Sequence, residues 1–175
     1  MNKPTTMNKL FLTLAAAALI MLASCSTKTN PENEPDTLCL NGAPTDTPTV
    51  WPKGEPNDAY AQYFTGQSYL ALLDSTSGLC NVTFEPGCRN NWHIHHGAVQ
   101  MLICVSGRGW YQEWGKPAVE LKPGTVIAVP EGVKHWHGAA ADSWMQHLTY
   151  HANAKPGNSN EWLEPVDDRQ YHKLK

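Results

Sequence analysis

Between residues 62 and 150 the chain is interrupted at close intervals by turn-forming clusters: Glu85-Pro86-Gly87, Ser106-Gly107, Gly115-Lys116-Pro117, Lys122-Pro123-Gly124 and Pro130-Glu131-Gly132. Proline presets φ and glycine accepts positive φ, so each cluster is a place for the backbone to reverse. The apolar runs left between them are too short for helices. They are Tyr69 to Leu73, Leu79 to Phe84, Val99 to Val105, Gly109 to Glu113, Ala118 to Leu121, Thr125 to Val129 and Ser143 to Tyr150. Short strands at regular spacing with turn signals predict an all-β antiparallel sandwich or barrel. No long stretch carries a helical period; the one helix candidate is Asn160 to Tyr171.

At 175 residues the chain has room for one domain with tails. Lys3 and Lys9 precede an almost continuous apolar run from Leu10 to Ala23. That run suits a signal-peptide core and is short for a bilayer span. Leu22-Ala23-Ser24-Cys25 resembles the lipobox of bacterial lipoproteins. The resemblance implies cleavage before Cys25, lipid on its thiol, and an exported protein anchored to a bacterial membrane on its periplasmic or cell-surface side. Residues 1–24 are thus read as a lipoprotein signal peptide. Residues 25–60, rich in proline (Pro31, Pro35, Pro44, Pro48, Pro52, Pro56), are a tether and N-terminal arm. The barrel occupies 61–152, and 153–175 form a short C-terminal helix or tail.

Lys+Arg number 13 against 16 Asp+Glu, a net charge of −3 that becomes −5 once Lys3 and Lys9 are removed. With no basic run, nucleic acid is excluded as a partner. Cys39, Cys80, Cys88 and Cys104 match no metal-binding cysteine spacing, and Cys80 and Cys88 bracket a strand. No disulfide is assigned, and Cys104, on an apolar strand, is read as a buried thiol and not a nucleophile. Gly107-Arg108-Gly109 joins two strands and opens no helix, which removes a nucleotide-binding reading.

Chemistry concentrates in two motifs, Gly87-x5-His93-x-His95-x4-Gln100-x6-Gly107 and Gly124-x5-Pro130-x-Gly132-x2-His135-x-His137. Side chains alternate along a strand, so His93 and His95 share a face, as do His135 and His137, and also Met145, His147 and Thr149. If these faces line one barrel, His93, His95, Gln100 and His135 can close around an ion, with His137 and His147 beside it. His96 faces the other way, into solvent. Trp92, Trp110, Trp114 and Trp136 are candidates to line an apolar pocket or to fill the barrel.

These two motifs resemble the pair that defines the cupins, small double-stranded β-helix barrels of jelly-roll type. The likeness covers about residues 62 to 152. Val82-Thr83-Phe84-Glu85-Pro86-Gly87, Lys134-His135-Trp136-His137-Gly138-Ala139-Ala140 and His147-Leu148 are similar to the manganese-dependent cupin hydroxynitrile lyases and their bacterial relatives. The resemblance implies a divalent metal, manganese foremost with iron, zinc or nickel as alternatives, on His93, His95, Gln100 and His135. It also implies that His137 and His147 handle substrate protons. The chain departs from the general pattern in carrying Gln100 where most cupins have glutamate, and Ala139 where asparagine is common. A carboxamide is a neutral ligand. Three imidazoles and a glutamine therefore leave the ion's full charge uncompensated, which strengthens it as a Lewis acid and anion binder.

The expected function is a metal-dependent, lyase-like enzyme acting on a small carbonyl or hydroxyl compound, with cyanohydrin cleavage the most specific reaction implied. An Fe(II) dioxygenase, a sugar-type isomerase and a non-catalytic ligand-binding lipoprotein are the alternatives. Pairing of sheet edges makes a homodimer the expected assembly.

Overall fold

A computed structural model describes residues 51–174. The signal-peptide, lipobox and tether readings on residues 1–50 lie outside the described residues. Within them the chain forms thirteen strands, and four of the five turn clusters fall between strands as expected; Ser106-Gly107 instead ends the strand Val99–Gly107. In chain order these are β1 (Glu55–Pro56), β2 (Phe64–Thr65), β3 (Ser68–Asp74), β4 (Leu79–Phe84), β5 (Arg89–Asn90), β6 (His93–His96) and β7 (Val99–Gly107). Then come β8 (Gly109–Glu113), β9 (Val119–Leu121), β10 (Val126–Val129), β11 (His135–Ala139), β12 (Met145–Ala152) and β13 (Ser159–Trp162). A 3-10 turn occupies Asp58–Tyr63 and one short helix, α1, spans Asp168–Tyr171.

Two antiparallel sheets result. One runs β1-β3-β4-β12-β7-β10; the other runs β13-β6-β11-β5-β2, with β8 paired to both β11 and β9. Phe84, Leu102, Cys104, Leu121, Val129 and Met145 fill the main core, each 1% exposed or less. The register of β12 against β7 shifts once: Gln146 faces Ser106, but His147 faces Cys104, leaving Val105 as the extra residue of a β-bulge. Beyond that bulge Thr149 faces Leu102 and His151 faces Gln100.

The expected helix over 160–171 is confined to its last turn. Ser159–Trp162 instead pairs with β6, Asn160 opposite His95 and Trp162 opposite His93. Pro165 cannot sit inside a helix, and Asp167 caps what remains by accepting the Gln170 N–H at 3.0 Å. Behind β11 a second cluster gathers Trp92, Trp136, Val166 and Tyr171. Arg89, itself buried, ties this tail down through an ion pair with Asp168 and a guanidinium 4.2 Å from the Tyr171 ring centre. The close approach of β11 to β5 requires glycine at 138, where a Cβ would lie 2.5 Å from the Arg89 Cα.

Candidate metal centre

Strand alternation delivers the histidines as anticipated. His93 and His95 project from the same face of β6, and His135 lies directly opposite His93 on the neighbouring β11. The His93 ring centre is 4.1 Å from that of His135 and 5.0 Å from that of His95. One nitrogen from each of the three lies within 4.8 Å of the others, and all three side chains are buried. Imidazole nitrogens at about 2.1 Å from an ion would lie at most about 4.2 Å apart, so small ring rotations suffice to bind one.

The hydrogen bonds fix which nitrogen is offered. The Nδ1 atoms of His93 and His135 sit 3.0 and 2.9 Å from the carbonyls of Asn91 and Val133. His95 Nδ1 is 2.6 Å from Asn160 Oδ1. A carbonyl oxygen only accepts, so at the two backbone carbonyls Nδ1 carries the proton and Nε2 a lone pair; Asn160 Oδ1 sets His95 alike. Burial holds His95 and His135 down to about 4 and His93 well below its ordinary value, keeping all three neutral near pH 7. His95 Nε2 has no hydrogen-bond partner among the described residues, and the His135 Nε2 lone pair lies 3.0 Å from Gln100 Oε1. Two acceptors facing each other, beside an orphaned third, are what a bound cation would resolve. The residues present fit a divalent ion on His93, His95, His135 and Gln100.

His137, one alternation further along β11, faces the same cavity, and His147 on β12 comes within 4.9 Å of it, ring centre to ring centre. Asn90 sets the His137 tautomer: its Oδ1 accepts the His137 backbone N–H at 2.9 Å, which turns its amide nitrogen toward His137 Nε2 at 3.0 Å. His137 therefore carries its proton on Nδ1, and that buried N–H has no partner among the described residues. His147 is the converse. Its Nδ1 lies 3.3 Å from the Leu148 carbonyl, leaving Nε2 as a buried lone pair with no partner among the described residues. Burial pushes His147 down to about 4 and His137 well below the usual imidazole range. The pair thus places one proton donor and one proton acceptor side by side.

A cavity of about 200 Å³ opens onto these groups. Its walls are Tyr60, Phe64, Leu70, Val82, Phe84 and Trp162, with Cys80, Thr149 and His151 also lining it. Of the tryptophans considered from sequence, none of Trp92, Trp110, Trp114 and Trp136 lines it. Trp136 alternates with His135 and His137, so it must face the opposite side of β11, where Trp92 and Trp110 join it; Trp114 is 59% exposed. Trp162 takes the wall position instead, 4.9 Å from the His93 ring and stacked at 4.7 Å on Tyr63. The alternation Asn160-Glu161-Trp162 carried that signal, obscured by the helix reading. His151, 4.7 Å from His95, shares the parity of His147 and Thr149 and was also legible from it. His96 does face away, 2.7 Å from Glu161 at the surface. Among the described residues Cys80, Cys88 and Cys104 are free thiols, and burial raises Cys104 to about 11.

Residues 80–149 match the cupin domain family model. Over 93 residues the chain is 43% identical to an (R)-mandelonitrile lyase of Granulicella tundricola, spanning 53% of this chain and 70% of that one. Among solved structures, a cupin-like protein from Thermotoga maritima superposes with a TM-score of 0.64 at 36% identity, over 71% of this chain and 95% of that one.

Proposed function

The chain belongs to the cupin family, and from that premise we propose that it is a metal-dependent, hydroxynitrile lyase-like enzyme acting on a small carbonyl or hydroxyl compound. The observation that carries the reading is a pair of buried imidazole atoms of opposite polarity without partners among the described residues, the His137 Nδ1–H and the His147 Nε2 lone pair, beside the three-histidine cluster. A divalent ion, manganese foremost, would supply Lewis-acid polarisation of the substrate oxygen when bound. The remaining work falls to the chain. His147 Nε2 accepts the hydroxyl proton of a cyanohydrin as the carbon–cyanide bond breaks and its electron pair leaves with cyanide. His137 Nδ1–H hydrogen-bonds the departing cyanide, and the proton taken up by His147 passes to it, so that hydrogen cyanide leaves and both rings are neutral again. The apolar walls exclude water, which strengthens each of these hydrogen bonds. Anchoring outside the cytoplasm through Cys25 belongs to the same proposal and is supported by Leu22-Ala23-Ser24-Cys25; Cys25→Ser should release the protein from membranes.

The test is mandelonitrile cleavage, oxygen uptake and metal content measured on the mature chain. His135→Ala should lose both metal and cleavage. His137→Ala and His147→Ala should lose cleavage while retaining metal. Oxygen uptake without cyanide release would replace the lyase reading by an oxygenase one, and bound metal without either activity would favour ligand capture.

A further inference from the structure

One polar group in the cavity plays no part in the scheme above. Thr149 lies on β12 two residues beyond His147 and shares its face, and its hydroxyl is buried with no hydrogen-bond partner among the described residues. Its cross-strand neighbours explain the vacancy of partners: Leu102 on one side is apolar, and on the other the Cys80 thiol lies by the Gly78 carbonyl. Nothing in the fold calls for a hydroxyl here. Valine has the same shape, is at least as favourable in a strand, and avoids burying an unpaired polar atom. An unpaired hydroxyl at such a position, on a residue that lines the cavity, has its use in a ligand.

We propose that Thr149 is a further substrate-contacting residue, and that the substrate carries a second hydrogen-bonding group besides the oxygen served by His147. This rests on the reading of the cavity as a catalytic site. Same-face residues on a strand are about 6.6 Å apart, close to the span of one substituted aromatic ring. A cavity of about 200 Å³ has room for one ring, since about 150 Å³ holds benzene. The aromatic rings of Phe64, Phe84 and Trp162 line it. The ligand class is therefore a single-ring aldehyde, or its cyanohydrin, bearing a ring hydroxyl.

The test compares binding of benzaldehyde with 3- and 4-hydroxybenzaldehyde to the metal-loaded full chain, by calorimetry or tryptophan quenching. At least one hydroxylated aldehyde should bind about threefold to tenfold more tightly than benzaldehyde, the range of one neutral hydrogen bond. Thr149→Val should erase that preference and melt no lower than the parent; Thr149→Ser should retain the preference. Equal binding of all three aldehydes, a preference that survives Thr149→Val, or no binding at all overturns the proposal. So does a lowered melting point for Thr149→Val, which would reveal a structural partner for the hydroxyl. Mandelonitrile turnover in the same preparation separates the two claims. Preference without turnover defeats the lyase reading alone, and turnover without preference defeats only the role of Thr149.

Discussion

Replacing Asn160 by alanine probes the metal centre from a residue that touches no ion. Its Oδ1 is 2.6 Å from His95 Nδ1 and is the group that holds the proton there, leaving Nε2 free for the ion. Without it the His95 ring loses its preferred tautomer and its orientation together. Loss of such an outer partner typically weakens metal binding 10- to 100-fold, which is about 1.4–2.7 kcal/mol. The backbone pairing of Asn160 with His95 does not involve the side chain, so β13 should stay in place and the metal-free chain should melt within a few degrees of the parent. Competition against a chelator of known affinity reads the effect directly. Asn160→Asp, which keeps an acceptor and adds charge, should bind at least as tightly as the parent. An Asn160→Ala affinity within threefold of the parent would refute the assignment of His95 Nε2 as a ligand atom.

Acid should unfold the metal-free protein steeply. His93, His135, His137 and His147 are buried and their pKa values are held down by desolvation, to about 4 for His135 and His147. The unfolded chain takes up protons near pH 6.5 that the folded chain refuses. Stability is therefore full above that pH and falls between 6.5 and 4, by about 1 kcal/mol per such histidine from pH 7 to 5.5. Denaturant midpoints across that range, with chelator present, check both sign and size. Gly138→Ala drives a Cβ to 2.5 Å from the Arg89 Cα and should cost more than about 2 kcal/mol, read as a lowered melting temperature; a parent-like melt would contradict the close approach. Light scattering of the full chain should give a dimeric mass if sheet edges pair as we propose; a monomeric mass would rule that out.

Turn chemistry and strand alternation were enough to place most strands and to bring His93, His95, His135, His137 and His147 into one cluster. Those signals are local, one residue deciding the face of the next. What escaped was decided by distant partners. Asn160 to Trp162 read as part of a helix because a polar, apolar-poor segment has weak intrinsic preference, and only the open edge of β6 makes it a strand. For the tryptophans the sequence left pocket wall and barrel filling open, and it is the parity set by His135 and His137 that sends Trp136 to the outer cluster. Asn90, which fixes the tautomer of His137, lies on the two-residue β5 and has no sequence signature at all.

The extra residue Val105 carries a consequence for how this barrel can vary. Gly107, whose Cβ would fall 1.8 Å from the Trp144 carbonyl oxygen, is locked by the turn that follows it, while Gln100 is placed with its Oε1 3.0 Å from His135 Nε2. The two fixed points are seven positions apart on one strand, and the bulge between them absorbs the half-step that would otherwise set them out of phase. It works as a gearing between the two ends of the barrel. Deleting Val105 would force a choice, a broken turn or a glutamine rotated into the opposite layer. Changes in the loops at the turn end can in turn be taken up there without disturbing the coordination end.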